Sequence, residues 1–156
     1  MSKKKRKFLV KVREPQFIHY KALNKETGVE EDTTIMKGKY ALPWRAITDT
    51  SVTERALQKV DRLKKLFPDV TIEFNFNREN PAFILGVSGK TVRHNGDTPD
   101  QSVGDRVARA RAMARACVVS RHICIAIKEG LEEELKRAAE TFKARFEKEK
   151  RIIKGM

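Results

Sequence analysis

The sequence predicts an α+β fold: an antiparallel sheet of about five strands, with one inserted helix and two carboxy-terminal helices. Between residues 8 and 93, apolar and polar residues alternate in several short runs, as expected of strands with one buried face. Between residues 102 and 153, apolar residues recur at helical spacing instead. The length of 156 residues fits one domain. We therefore expect a single domain over residues 8 to 156, sheet-rich over 8 to 93 and helical over 102 to 153.

Three runs near the amino terminus predict the first strands. Residues 8 to 12 alternate in character and end before Pro15, which cannot donate a hydrogen bond to a neighbouring strand. Residues 17 to 23 and 29 to 36 flank a loop that contains Gly28. This pattern predicts a β-hairpin.

The next segment predicts a connection and then the inserted helix. Residues 37 to 44 are interrupted by a glycine and a proline, which favours a connector or a short edge strand. Ser51 fits the N-cap of a helix, because Glu54 follows three residues later and completes a capping box. The helix is predicted over residues 52 to 67.

The clearest strand pattern in the chain follows this helix. Residues 70 to 76 alternate strictly, which places Phe74 and Phe76 on the buried face. These rings are therefore predicted to be core rather than a platform on which bases stack. Residues 82 to 87 predict the next strand, and residues 88 to 90 predict a tight turn after it.

The last third of the chain predicts two helices. The first is expected over residues 103 to 129, with Ser102 as its N-cap, and Gly130 marks its predicted end. Small residues recur every fourth position near its start and permit the close approach of a neighbouring backbone: Gly104, Ala108, Ala112 and Ala116.

The second predicted helix, residues 131 to 153, is highly charged and has a narrow apolar stripe. Such a stripe needs a partner, which is either the preceding helix or another chain. If the partner is another chain, it is either a second copy of this chain or a different protein. The predicted protein-interaction residues are Leu131, Leu135, Phe142 and Phe146.

The charge is the main functional signal. Thirty-four lysines and arginines against 21 acids give a net charge of +13, and most of the excess lies in residues 1 to 15 and 101 to 128. A basic arm and an arginine-bearing helix are what a phosphate-binding protein presents. Residues 1 to 7 are expected to form a flexible arm. The predicted nucleic-acid-binding residues are Lys3, Lys4, Lys5, Arg6, Lys7, Arg106, Arg109, Arg111 and Arg115.

Other interpretations of these charges are open. They could form a solubilising surface, or the helix arginines could pair with the acids at residues 132 to 134 or with other acids. Residues 3 to 7 also resemble a monopartite nuclear localisation signal. We expect an intracellular protein, cytoplasmic, or nuclear if that signal acts. The two cysteines, Cys117 and Cys124, are seven residues apart in a predicted helix, which is too far for a disulfide, so they indicate a reducing compartment. Cys117 is predicted to be buried.

Three functions are considered. The first is a non-enzymatic nucleic-acid-binding protein that contacts phosphates with weak sequence selectivity, DNA ranking somewhat ahead of RNA. The second is a structural or adaptor subunit of a larger assembly, such as a ribonucleoprotein or a viral particle. The third and least favoured is a small metal-dependent hydrolase or nuclease using His94, Asp97 and Asp100, since turn chemistry explains these residues more simply. No catalytic residue, metal ligand or cofactor is predicted, and neither is a membrane partner.

Overall fold

The computed structural model describes residues 8 to 93 and 101 to 155, with side chains from residue 103 onwards in the second range. It confirms the α+β class and the antiparallel sheet of five strands. The predicted arm, residues 1 to 7, lies outside the described residues. In chain order the elements are β1 (Val10–Lys11), β2 (Gln16–Leu23), β3 (Glu30–Pro43), α1 (Trp44–Ile47), α2 (Glu54–Asp61), α3 (Leu63–Leu66), β4 (Thr71–Asn75), β5 (Ala82–Val92) and α4 (Gln101–Lys154).

The sheet is organised around β3, its longest strand. β1 and β2 pair with β3 along one edge, and β5 pairs with the other edge and carries β4. The predicted β2–β3 hairpin is confirmed. Gly28 has a φ of 69° in the hairpin loop, a conformation that favours glycine. Its N–H donates a hydrogen bond to the carbonyl of Asn24 at 2.7 Å.

The two faces of the sheet have different surroundings. On the covered face, Met36 and Tyr40 of β3 and Leu85 of β5 belong to the core that α4 and the short helices close. The opposite face carries the alternate residues of the same strands, and we call it the open face, because no helix in the described part of the chain packs on it. Its central residues in β3 and β5 are Ile35, Lys37, Lys39, Ser88 and Lys90.

The predicted ridge of small residues holds α4 against the covered face. Ala108, Ala112 and Ala116 are fully buried. A Cβ atom placed on Gly89 would lie only 2.0 Å from the carbonyl oxygen of Ala108 and 2.5 Å from the amide nitrogen of Ala112. The backbones of β5 and α4 are therefore in direct contact, and only glycine fits at position 89.

This contact explains why the turn predicted at residues 88 to 90 is wrong. β5 continues without interruption as an eleven-residue strand, in which Gly89 pairs with Met36 of β3. Gly89 allows the backbone of α4 to approach the strand closely, and the chain does not reverse direction at this residue. A glycine inside a strand pattern commonly marks such an approach.

The prediction for residues 37 to 44 is also wrong. β3 runs through this segment to Pro43, because the alternation continues and buries Tyr40 and Leu42. Trp44 then begins the helical turn α1. Its ring is buried beside Phe83, and its indole N–H donates to the carbonyl of Thr50 at 2.9 Å.

The inserted helix differs from its prediction at its start and its middle. The N-cap is Thr53 and not Ser51: the Thr53 hydroxyl accepts a hydrogen bond from the amide of Ala56 at 3.3 Å. The helix is then interrupted at Arg62, which separates α2 from α3. The apolar face survives this interruption, since Val60 and Leu63 are both buried.

The expected end of a helix at Gly130 is wrong as well. α4 is one helix of 54 residues, so the two predicted carboxy-terminal helices are continuous. A Cβ atom on Gly130 would lie 2.8 Å from the Cα of Ala56 in α2. A glycine inside a helix costs about 1 kcal/mol, but here its missing side chain lets α2 and α4 pack closely.

Two side chains predicted to be buried are exposed. Phe76 follows the last residue of β4 and is 68% exposed, although its ring touches that of Phe74. Cys117 lies on the outer side of α4 and is also exposed. Phe74 itself packs against the core, beside Trp44 and Phe83, as the alternation predicts.

The contact at Gly89 yields a stability prediction. We expect Gly89→Ala to lower the free energy of unfolding by about 1 to 3 kcal/mol, because the new methyl group must push α4 away from the sheet. Urea denaturation followed by circular dichroism measures this change. The neighbouring exposed residue is the control: Ser88→Ala should stay within about 0.5 kcal/mol of the wild type. Equal effects of the two substitutions would contradict the proposed close contact.

Candidate nucleic-acid interface

The predicted binding residues divide into those the structure describes and those it does not. Lys3, Lys4, Lys5, Arg6 and Lys7 lie outside the described residues, and so do His94, Asp97 and Asp100. The four arginines of α4 are described, and they do not form one surface.

Arg106 and Arg109 lie towards the exposed side of α4. Arg106 is exposed and makes no hydrogen bond or ion pair within the described part of the chain. Arg109 places its guanidinium 5.7 Å from the ring centre of Phe17 in β2. Burial raises the pKa of the nearby Tyr40 hydroxyl, and the positive charge of Arg109 opposes that rise. Arg109 thus contacts the edge of the sheet, and both arginines keep their charge accessible.

Arg111 and Arg115 are engaged on the other flank of α4. Arg111 donates a hydrogen bond to the carbonyl of Lys90 in β5. Arg115 binds both carboxylate oxygens of Asp69 at 2.8 Å, and its guanidinium lies 5.0 Å from the ring centre of Phe67. These two arginines connect α4 to the sheet and to the segment before β4. Their contacts are those of structural residues.

Among the described residues, one of the four helix arginines pairs with an acid, as one interpretation of the charges expects, but that acid is not among residues 132 to 134. The partner of Arg115 is Asp69. Glu133 instead meets Lys59 at 2.6 Å and Arg55 at 3.4 Å, both in α2. The hydrogen bond from Lys59 lowers the pKa of Glu133. This acidic run therefore helps to hold α2 against α4.

The open face brings together three lysines that sequence reasoning missed. Lys37 and Lys39 are two residues apart in β3, so both point to the same face. Lys90 of β5 is opposite Ile35, which makes it a diagonal neighbour of Lys37. Diagonal neighbours in a sheet are about 7 to 8 Å apart. The three ammonium groups can therefore reach one extended ligand together.

The electrostatic surroundings of this lysine cluster favour an anionic ligand. All three side chains are exposed, and none makes an ion pair with a described residue. The open-face carboxylates of the described strands are Glu31, near the hairpin loop, and Glu73, on the outer strand β4. Within the strands that the structure describes, the centre of the face therefore carries positive charge, and its carboxylates lie at the periphery.

Uncharged residues beside the lysines complete the surface. Gln16 is opposite Lys37 on the β2 side, and Ser88 is opposite it on the β5 side. Ile18 and Tyr20 of β2 are on the same face and are about 40% exposed. The surface therefore combines point charges, hydrogen-bonding groups and one aromatic ring. A ligand with phosphates and flat bases matches this combination.

A signal for the lysines exists in the sequence. Residues 37 to 42 alternate between polar or small side chains and buried ones, which assigns Lys37 and Lys39 to one face. The pairing of Lys90 with Ile35 could not be read in the same way, because register between strands depends on contacts far apart in the chain.

A hydroxyl, an imidazole and a carboxylate are aligned at the start of α4. Nδ1 of His19 is 3.1 Å from the Thr34 hydroxyl, and its Nε2 is 3.3 Å from Oδ1 of Asp105. The order resembles that of a hydrolytic triad. However, Thr34 is only 8% exposed, and a Cβ on Gly104 would lie 3.3 Å from its hydroxyl oxygen. Since α4 covers the hydroxyl, the alignment ties α4 to the hairpin and does not present a nucleophile.

The two cysteines differ in exposure: Cys117 is exposed, and Cys124 is partly buried. Both are free among the described residues. Burial raises the pKa of the Cys124 thiol. A raised pKa keeps the thiol protonated near neutral pH, and the thiolate is the nucleophilic form.

Comparison with known proteins finds no matching family model, no matching curated protein and no matching solved structure. In the described ranges, no helix combines the length and the apolar character that crossing a membrane requires. The same ranges contain no cluster of three or more histidine, cysteine, aspartate or glutamate side chains suited to a metal ion.

The Arg115–Asp69 pair yields a pH prediction. The hydrogen bonds from Arg115 lower the pKa of Asp69 below its ordinary 3.8. The ion pair therefore stabilises the fold fully above that pH, and its contribution disappears as the pH falls through the lowered pKa. Because Asp69 is half exposed, solvent screening limits the effect to about 1 kcal/mol or less.

Chemical denaturation of the wild type and Asp69→Asn between neutral pH and strongly acidic pH measures this contribution. The difference in free energy of unfolding between the two proteins should become smaller as the pH falls. Asp61→Asn is the matched control, since that carboxylate contacts only the exposed Lys64 within the described residues. If the difference in free energy of unfolding stays constant at every pH, the charge of Asp69 does not stabilise the fold.

Proposed function

We propose that the protein binds nucleic acid without catalysing a reaction, and that the open face of the sheet is the contact surface. The single observation that carries this proposal is the convergence of Lys37, Lys39 and Lys90 on one face, where all three side chains are exposed and none forms an ion pair with a described residue. Lysines placed in this way neutralise backbone phosphates and release their counterions.

The overall charge supports the same ligand. A net charge of +13 attracts a polyanion over a long range and accelerates encounter at low salt. Arg106 and Arg109 provide further accessible cations on α4. Lysine and arginine contacts to phosphate carry no sequence information by themselves. The proposed binding therefore has weak sequence selectivity, and DNA remains ranked somewhat ahead of RNA.

Fluorescence anisotropy at several salt concentrations tests this proposal with duplex DNA, single-stranded DNA and duplex RNA. The test variant is Lys37→Gln/Lys39→Gln/Lys90→Gln. Each lost phosphate contact should make the slope of log affinity against log salt shallower by about one unit. We expect the slope of log affinity against log salt to become shallower by up to about three units in this variant. Its affinity at physiological salt should also decrease strongly.

The control removes the same charge from elsewhere. Lys25→Gln/Lys64→Gln/Lys65→Gln changes three exposed lysines, one in the β2–β3 loop and two in α3, none of which belongs to the open face. Its salt slope should stay close to that of the wild type. If both triple variants lose affinity equally, net charge alone drives binding and the open face is not the site. Arg106→Gln/Arg109→Gln then shows whether α4 shares the contact.

A second candidate function, a subunit of a larger assembly, is favoured by a different observation. Residues 135 to 154 of α4, which we call the projecting segment, are exposed along their whole length. At 1.5 Å per residue this segment extends about 30 Å beyond the domain. Of the predicted interaction residues, Leu131 packs against the core, while Leu135, Phe142 and Phe146 are 71%, 72% and 63% exposed.

A further inference from the structure

α4 carries exposed apolar side chains on the side opposite the core. Ala112 and Val119 mark the direction of the core, since both are fully buried. At 100° per residue, eight of the nine large apolar side chains that are exposed on the described part of α4 fall within an arc of about 140°, roughly opposite that direction. We call this arc the outer face of α4. Its exposed apolar residues are Val103, Met113, Val118, Ile125, Leu135, Phe142, Phe146 and Ile153.

The outer face is distinct from the surface that packs on the domain. Ile125 lies beside the domain and is nevertheless 44% exposed, while Leu131, at the border of the arc, packs partly against the core. Gly130 marks the contact with α2. Measured from Gly130, Leu135 and Phe146 lie about 140° and 160° around the axis. No element in the described part of the chain covers these side chains, so another molecule is needed to remove them from water.

The same arc carries positive charge. Seven lysines and arginines and two glutamates fall within it. The cations are Arg106, Arg121, Lys128, Lys136, Lys143, Lys150 and Lys154, and the glutamates are Glu132 and Glu149. In the projecting segment as a whole, eight cations stand against three glutamates. Two such segments repel each other, so the complementary partner of this face is negatively charged and also accepts apolar side chains.

The spacing of the apolar residues favours a lipid surface as that partner. From Val103 to Ile153 the outer face spans about 75 Å of helix, and its successive exposed large apolar side chains are 4 to 10 residues apart. A protein interface concentrates its binding energy in a compact central cluster. A lipid surface has no fixed shape, so separate apolar side chains can insert while the lysines and arginines between them meet anionic headgroups. A nucleic acid would meet the charges but leave the phenylalanines in water.

We infer that the outer face of α4 binds an anionic lipid surface, with the helix lying in the plane of the membrane interface. The sequence interpretation names no membrane partner, and no described helix is suited to cross a membrane. A helix that lies on a membrane needs an apolar side and a basic side instead of one long apolar run. The inference does not rest on the proposed nucleic-acid binding, because the open face is on the other side of the sheet. It takes the surface on which the second candidate function places a protein.

Vesicle co-sedimentation with the full chain tests this inference. The wild type should bind vesicles of an equimolar mixture of phosphatidylcholine and phosphatidylglycerol, and bind phosphatidylcholine vesicles much more weakly. Phe142→Ala/Phe146→Ala keeps the net charge and should weaken binding to the mixed vesicles by about tenfold or more, because two rings no longer insert. Phe8→Ala/Phe76→Ala is the matched control, since both rings are exposed and lie outside α4.

A matched pair of charge variants tests the contribution of the cations. Lys143→Gln/Lys150→Gln should also weaken binding to the mixed vesicles by about tenfold or more, because lysines near an anionic surface attract it. Lys25→Gln/Lys65→Gln removes the same charge from outside α4 and should stay close to the wild type.

Tryptophan fluorescence reports which side of the helix inserts. Phe142→Trp should shift its emission to shorter wavelength when mixed vesicles are added, because the new ring leaves water. Ala144→Trp should not, since residue 144 lies about 160° around the axis from residue 142. The native Trp44 is buried in the core and gives the same background in both variants.

Each outcome supports the inference or overturns it. Loss of binding in both outer-face variants, with both controls close to the wild type, supports it. A wild type that does not bind the mixed vesicles overturns it, and so does binding that the phenylalanine variant leaves unchanged, since net charge alone then attracts the protein. A dimer that light scattering detects without vesicles, and that Phe142→Ala/Phe146→Ala abolishes, would assign the face to a second copy instead.

Two further measurements separate this inference from the rest of the molecule. The affinity of Phe142→Ala/Phe146→Ala for nucleic acid, read by anisotropy, should equal that of the wild type, so failure on vesicles leaves the proposed function intact. Thermal melting followed by circular dichroism confirms that each variant folds.

Discussion

The structure depends on the direct contact between the backbones of β5 and α4. Gly89 leaves no room for a side chain beneath Ala108 and Ala112, so helix and sheet approach more closely than side chains would allow. This contact fixes both the position and the rotation of α4. The rotation in turn determines which arginines bind the domain, as Arg115 does, and which remain accessible, as Arg106 does.

The same contact gives the molecule two free surfaces with different chemistry. Because α4 and the short helices all pack on one side, the other side of the sheet keeps its lysines exposed. Because α4 is much longer than the sheet it covers, its last 20 residues extend past the core, and their apolar side chains are exposed. The open face presents lysines, and the projecting segment presents exposed apolar side chains. Neither proposed contact obstructs the other, since they belong to different elements.

Local patterns predicted most elements, and tertiary contacts changed their boundaries. The strand within residues 70 to 76 and the hairpin at Gly28 depend on neighbours in the chain, so both were predicted, although Phe76 lies beyond the end of the strand and is exposed. Gly89 and Gly130 were predicted to interrupt elements. Both lie inside them instead, because each glycine accommodates the backbone of a distant element. Residues 37 to 43 were predicted to be a connector or a short edge strand. They instead form the last part of β3, which ends at Pro43, because buried residues such as Tyr40 extend the strand.

The sequence by itself determined the α+β class, the excess of positive charge and the apolar stripe of the last helix, because these follow from composition and short-range periodicity. It also determined that Lys37 and Lys39 share a face, although this was not recognised. Only the tertiary structure decided that Lys90 joins them and that Arg111 and Arg115 are occupied by the domain. The physical reason is that strand register and helix rotation are set by packing between residues far apart in the chain, and periodicity does not encode that packing.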